Sequence, residues 1–229
     1  MTETLFAGKS LAVFDAYGTL FDVHAAVQRH AAAIGPEAGP LSETWRTKQL
    51  EYSWVYGLMG RYRSFWSLTE AALDVALTRH PGVDRALREA LLDAYRDLDA
   101  YPEVPATLDA LRERGLRTAI LSNGDTAMLE RAVASAGLGP RLDATLSVDP
   151  ARTFKTSPAA YRIVCERFGV GPAAVLFCSS NRWDVAGAAA FGFATAWMNR
   201  KGAPDEYADL PPTIEIVTLD ALLTRFSQP

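Results

Sequence analysis

Four short apolar runs in this chain each end in a polar tip, and the tips hold the side chains able to do chemistry. Leu11–Phe14 runs into Asp15, Ala16, Tyr17, Gly18 and Thr19. The run 118–121 leads to Ser122, Asn123, Gly124 and Asp125. The run 144–148 leads to Asp149, with Lys155 a little further on, and 175–178 leads to Ser179, Ser180, Asn181 and Asp184. Asp15 is the central candidate, because a carboxylate beside an apolar strand suits a nucleophile, a general base or a metal ligand. Gly18 allows a tight turn, and Thr19 is placed to hydrogen-bond the carboxylate and aim it. Lys155 is the counter-charge, since a nearby ammonium keeps a carboxylate ionised and offsets a second anion. Each feature also has a plainer reading. Asp15 suits an ordinary Asx-turn, Lys155 a solvated surface, and Ser122 with Asn123 the N-cap of a helix over 126–136.

These tips matter only if the strands lie side by side. In open α/β sheets, ligands bind outside the carboxyl ends of the strands. The alternation of apolar runs with helical patterns predicts that arrangement. Strands are expected at Leu11–Phe14, 118–121, 175–178 and 194–197, with weaker candidates at 144–148 and 214–217. Val104, Leu108 and Leu111 keep helical spacing, as do Tyr161, Val164, Cys165 and Phe168. Pro158 suits the first turn of that second helix and Gly169 its end. Residues 21–99 contain no strand-like run and are rich in Ala, Leu, Arg and aromatics. The expected architecture is therefore a Rossmann-like α/β parallel-sheet core, residues 1–20 and 100–229, with a helical cap inserted over 21–99. Trp45, Tyr52, Trp54, Tyr56, Tyr62, Phe65 and Trp66 cluster in that insertion. They are read first as packing or a subunit interface, and second as a pocket wall over the site.

Composition narrows the class. The chain has 229 residues, 49% hydrophobic and 22% charged, with a formal net charge of −4. That excludes a disordered chain, a collagen-like fibre and a simple coiled coil. It also makes nucleic acid a poor partner. The longest uncharged stretch, 185–199, is too short and glycine-rich for a membrane span. With no signal-like segment at the start, a soluble cytoplasmic protein is expected. Cys165 and Cys178 cannot make a disulfide framework and are read as reduced thiols. His24, His30 and His80 lack metal-ligand spacing, and all lie in the expected cap. Gly8-Lys9-Ser10 lacks the upstream glycine of a phosphate-binding loop, and no GxSxG elbow is present.

Residues 15–23, Asp-Ala-Tyr-Gly-Thr-Leu-Phe-Asp-Val, resemble the first motif of the haloacid dehalogenase superfamily, and specifically that of the L-2-haloacid dehalogenases. Leu121-Ser122-Asn123-Gly124 is similar to the second motif, and Lys155 fits the third, although Thr156 stands where the family usually has proline. Ser179-Ser180-Asn181-Arg182-Trp183-Asp184 fits the fourth. Phe191-Gly192-Phe193, the stretch 197–200 and the cap stretch 45–52 extend the resemblance over about residues 10–200. Phosphatases of the superfamily carry a second aspartate two residues after the nucleophile and acidic residues in the fourth motif. This chain has Tyr17 and Asn181 at those places, so the resemblance implies a site without a metal or other cofactor.

The implied reaction is hydrolysis of a short L-2-haloacid to the 2-hydroxy acid with inversion, through an ester on Asp15. Arg46 is implied as the donor to the leaving halide, with Asn123 as a second donor. Ser122 and nearby backbone N–H groups are implied to hold the substrate carboxylate. Ser179, Asn181 and Asp184 are candidates for placing the hydrolytic water, and Asp184 is alternatively an orienting partner of Lys155. Tyr17, Leu50, Phe65 and Trp183 are expected around the substrate, and Tyr161 near Asp184. Cys178 and Arg182 are read as tuning residues. A homodimer is the implied assembly. Two other readings stand beside this one: a magnesium-dependent phosphatase of the same superfamily, and a non-catalytic metabolite-binding protein on the same scaffold.

Overall fold

The computed structural model describes residues 5–226. Six parallel strands form one sheet in the order β3-β2-β1-β4-β5-β6. They are β1 Leu11–Phe14, β2 Arg117–Ser122, β3 Ala144–Ser147, β4 Val175–Ser179, β5 Ala194–Met198 and β6 Ile214–Ile216. All four residues of β1 are buried, and the strand pairs with both β2 and β4. An uninterrupted apolar strand suits the middle of a parallel sheet, where helices cover both faces. From β1 the chain builds β2 and β3 on one side and β4 to β6 on the other. The connections that leave β1 and β4 therefore run to opposite sides, and the strand order reverses between them, the place where a ligand crevice forms in such sheets.

Two strands run one residue beyond their apolar stretch. Ser122 pairs with Ser147 and Ser179 with Trp197, so both serines sit on strand ends rather than in loops. Ladder pairing uses backbone groups, and a small hydroxyl side chain does not interrupt it. Conversely, β3 stops at Ser147, and the chain enters a 3-10 turn over Asp149–Ala151 that contains Pro150.

Between β1 and β2 lie α1 Ala25–Gln28, α2 Ala31–Ile34, α3 Ala38–Leu58, α4 Phe65–Arg79 and α5 Arg88–Arg96, with no strand among the described residues there. This is the inserted helical cap. α3 packs on α4 through buried Leu41 and Trp45 against Leu68, Ala72 and Ala76, and Trp45 Nε1 donates to the Thr69 carbonyl at 2.9 Å. Of the seven clustered aromatics, Trp45 and Phe65 are buried in the core, while Trp54 reaches the surface.

The remaining helices are α6 Val104–Glu113, α7 Thr126–Ser135, α8 Pro158–Phe168 and α9 Arg182–Phe191. Val104, Leu108 and Leu111 are buried on α6. α8 begins at Pro158 and ends at left-handed Gly169, as expected, and buries Ala160, Tyr161 and Val164; Cys165 and Phe168 lie at the margin of that stripe. Cys178 is fully buried in β4, and both cysteines are free thiols. Among the described residues no helix is long and apolar enough to cross a membrane.

Candidate active site

Asp15 is the first residue beyond β1, and its N–H donates to the Cys178 carbonyl at 2.9 Å, extending the ladder toward β4. Its carboxylate therefore emerges at the carboxyl ends of β1 and β4, where the strand order reverses, and is only 6% exposed. Lys155 Nζ donates to Asp15 Oδ1 at 3.0 Å, and Asn181 Nδ2 donates to Oδ2 at 2.8 Å. Thr19 Oγ1 lies 3.2 Å and Ser179 Oγ 3.5 Å from Oδ2. With both oxygens held, the carboxylate plane is set.

The turn that delivers Thr19 is tight. Leu20 and Phe21 N–H groups both donate to the Ala16 carbonyl, at 2.9 and 3.0 Å. Gly18 adopts φ +92°, and a Cβ there would come 3.2 Å from Ser180 Oγ. Both facts favour glycine. Thr19 Oγ1 also accepts the Ser180 N–H at 2.8 Å, which binds the β1 turn to the β4 turn.

Lys155 is buried and bridges two carboxylates, reaching Asp184 Oδ2 at 2.7 Å as well as Asp15. Burial pulls its pKa down, but Asp15 and Asp184 outweigh that and hold the ammonium above the ordinary lysine range. Burial pushes Asp184 up to about 6 against the opposing pull of Lys155. Tyr161 donates its hydroxyl to Asp184 Oδ1 at 2.8 Å, and burial raises that phenol well above its usual value, so it stays a neutral donor. Both oxygens of Asp184 are thus occupied. Thr156, in place of the family's usual proline, leaves the Lys155 ammonium in position between the carboxylates.

A cavity of about 370 Å³ opens beside Asn181 and Gly18. Tyr17, Arg46, Leu50 and Trp183 line it, and so does His24. Arg46 comes from the cap: its Nη1 donates to Gln49 Oε1 at 2.8 Å and its Nη2 to the Tyr17 carbonyl at 3.2 Å. The Tyr17 ring stacks on Tyr95, and burial raises the Tyr17 phenol well above its usual value. Trp183 meets Trp54 of the cap edge-on, with ring centroids 5.4 Å apart. His24 is half-buried and bonded to Ser42 Oγ at 2.8 Å.

Other expected site residues stand behind this surface. Ser122 Oγ accepts the Gly124 N–H at 3.1 Å. Asn123 Oδ1 accepts the Lys155 N–H at 2.9 Å, so its amide supports the lysine loop. Phe65 is buried against Phe154. Neither Ser122 nor Asn123 caps α7; Asp125 holds that place, and its side chain turns to the cap instead. There it accepts the N–H groups of Phe65 and Trp66 at 2.7 and 3.0 Å. Arg182 also lines the cavity, and its guanidinium is held by Asp205 and by the carbonyls of Tyr207 and Leu210, clamping the 205–210 loop.

In the sequence Asp125 stands out only as part of a tip, and Gln49 only within the stretch 45–52. Tyr95 and Gly187 carried no local signal. A Cβ on Gly187 would lie 2.5 Å from Tyr161 Oη and 2.8 Å from Thr156 atoms, so this glycine makes room for the residues that support Asp184 and Lys155.

Residues 9–192 match the family model for haloacid dehalogenase-like hydrolases. The chain is 48% identical over 220 residues to (S)-2-haloacid dehalogenase 1 of Pseudomonas sp. (strain CBS-3), covering 94% of this chain and 97% of that protein. It is 46% identical over 211 residues to (S)-2-haloacid dehalogenase 4A of Burkholderia cepacia, covering 92% and 91%. Its fold superposes with a TM-score of 0.86 on the L-2-haloacid dehalogenase of Xanthobacter autotrophicus with chloropropionic acid covalently bound, at 37% identity over 96% of this chain and 100% of that one. The order of the strands, the residues around Asp15 and these likenesses agree: the chain belongs to the haloacid dehalogenase-like hydrolases, and within them it groups with the (S)-2-haloacid dehalogenases.

Proposed function

We propose that this chain hydrolyses short L-2-haloacids to 2-hydroxy acids with inversion. The observation that carries the reading is the Asp15 carboxylate, nearly buried and anchored at both oxygens, one of them by Asn181, which lines a cavity together with Arg46. A poorly hydrated, fixed carboxylate is suited to in-line displacement, where orientation supplies much of the rate. An Asp15 oxygen forms a bond to C2, and the carbon–halogen bond breaks with its electron pair leaving on halide. Arg46 stabilises that anion as it forms, because a guanidinium is always charged and weakly hydrated. Water then adds to the Asp15 carbonyl carbon, the ester opens, and the hydroxy acid leaves with one proton released.

Lys155 sets its ammonium 3.0 Å from Asp15 and offsets negative charge in the ester-forming step. Asn181, Thr19 and Ser179 aim Asp15, and Ser179 and Asn181 are the neighbours of its carboxylate that can place the hydrolytic water. Asp184 is fully buried with both oxygens occupied, which favours a positioning role on Lys155 over direct contact with water. Tyr161 acts through Asp184. Leu50, Tyr17 and Trp183 form the apolar side of the substrate space, with Phe65 packed behind. The seat proposed for the substrate carboxylate, Ser122 and Asn123 with the adjoining α7 N-terminus, draws its support from the preference of a helix start for an anion. The expected homodimer has an apolar surface open to it at the end of α3, where Val55, Leu58 and Met59 are exposed; light scattering decides it.

The test is halide release from L- and D-2-chloropropionate in EDTA, with Asp15→Asn as control. Chloride from the L-isomer alone, lost in the variant, supports the proposal. Turnover of phosphate esters only when magnesium is added, with no chloride from either isomer, overturns it.

A further inference from the structure

Gln49 is nearly fully buried on α3, one helical turn from Arg46, and the mechanism above gives it no part. A buried primary amide is costly unless every donor and acceptor is matched. Here they are. Gln49 Oε1 accepts Arg46 Nη1 at 2.8 Å, and Gln49 Nε2 donates to Thr69 Oγ1 at 2.6 Å. Tyr95 Oη lies 3.0 Å from Nε2 and 3.2 Å from Oε1. Thr69 is itself held by donating to the Phe65 carbonyl at 2.8 Å, and Tyr95 is clamped between the rings of Tyr17 and Trp45. The amide therefore sits in a rigid frame built from α3, α4 and α5 and touches the cavity only through Arg46.

The kind of acceptor matters as much as its place. Arg46 donates to neutral oxygens, those of the Gln49 amide and the Tyr17 carbonyl, and no carboxylate forms an ion pair with it among the described residues. Buried Arg182 and half-buried Arg200, which line the same cavity, are by contrast each paired with a carboxylate. A carboxylate on Arg46 would orient it equally well but would cancel most of the field an approaching anion feels. We propose that Gln49 is a positioning residue that aims Arg46 while leaving its charge uncompensated for the departing halide. The inference rests on the proposed role of Arg46.

Two variants separate aim from charge. Gln49→Glu keeps the shape and an acceptor and adds a negative charge. It is tolerable because Tyr95 Oη can donate to the new carboxylate and Thr69 Oγ1 can do so by giving up its bond to the Phe65 carbonyl. Gln49→Met keeps the length and removes the acceptor. The readout is kcat/KM for L-2-chloropropionate against L-2-bromopropionate, which reports barriers up to carbon–halogen cleavage. Bromide leaves more readily and needs less help, so weakened halide stabilisation must penalise the chloro substrate more. Gln49→Glu should lower kcat/KM for the chloro substrate by about 10- to 100-fold, less than the roughly 100- to 1000-fold cost of losing an anion donor outright, because Arg46 itself stays in place. The loss on the bromo substrate should be several-fold smaller, and Gln49→Met should move the ratio the same way.

Arg46→Lys, measured in parallel, tells the two readings apart. If Arg46→Lys shifts the chloro-to-bromo ratio and neither Gln49 variant does, while thermal melts show both variants folded, the role of Gln49 is overturned and that of Arg46 stands. If Arg46→Lys leaves the ratio unchanged, Arg46 is not the halide donor and both readings fall. Should Gln49→Glu fail to fold, the Gln49→Met ratio decides alone.

Discussion

The carboxylate of Asp125 accepts the N–H of Phe65 at 2.7 Å, so a residue of the core loop after β2 caps the first turn of a cap helix. An adjacent bond to the Trp66 N–H at 3.0 Å completes the cap, and Ser64 caps the same turn through Ser67 at 3.2 Å. Side-chain caps satisfy helix N–H groups that otherwise have no intrahelical partner. Asp125 lies two residues after Asn123, whose side chain holds the Lys155 loop. One loop therefore sets both the height of the cap and the seat of the lysine. Asp125→Ala should cost about 1 kcal/mol of stability. It should also raise KM more than it lowers kcat, as the cap loosens over the cavity. A melting curve and Michaelis–Menten kinetics on L-2-chloropropionate check this, and unchanged values for both would refute the clamp.

The acid limb of activity should report Asp184. Burial holds its pKa up at about 6, so below that pH it takes up a proton and its ion pair with Lys155 loses one charge. kcat/KM should fall as pH drops through about 6. The Tyr161 hydroxyl bond favours the ionised form, so its removal lets the pKa rise further. Tyr161→Phe should therefore move the acid limb to higher pH, whereas a tyrosine that only fills space would leave the limb in place.

Lys155→Met leaves the Asp15 and Asp184 carboxylates facing each other across a buried space without their shared cation. Breaking a buried ion pair from one side costs about 3–5 kcal/mol. The variant should melt well below the parent at neutral pH. It should recover part of the loss in mild acid, where one carboxylate is protonated. Activity should be lost at every pH at which the variant is folded.

Gly187→Ala introduces a Cβ into the space of Tyr161 Oη and the Thr156 side chain, both next to groups that hold the site. Overpacking of this kind typically costs about 1–3 kcal/mol. Because the displaced hydroxyl is the one bonded to Asp184, the substitution should also move the acid limb in the same direction as Tyr161→Phe. Stability loss with an unchanged pH profile would mean that Thr156 yields instead.

Lys155 Nζ occupies the place between Asp15 and Asp184 where a cation would be expected to bridge them. Dialysis against EDTA should leave halide release unchanged, and added magnesium should not raise it. A magnesium-dependent rate would require the lysine to move aside.

Much of the site was legible along the chain, because each strand is a short apolar run and its polar tip follows at once. Asp15 after β1, Ser122 on β2, Ser179 and Asn181 at β4 and Asp184 on α9 could be named from local pattern alone. The helical insertion was legible for the same reason, through the absence of strand-like runs between β1 and β2. Local pattern says which residues stand at element ends. It does not say which distant backbone group a side chain reaches. Asn123 supports the Lys155 loop, Asp125 caps a cap helix and Arg182 clamps the 205–210 loop, and each partner lies more than twenty residues away in sequence. The neutral setting of Arg46 and the room left by Gly187 are likewise properties of packing. They arise where α3, α4 and α5 meet, and where α8 meets α9, so no single segment encodes them. The order of residues sets the chemistry on offer and the strand ends that present it; which groups touch is settled only by folding, because hydrogen bonds and steric contact act over a few ångströms between residues far apart in the chain.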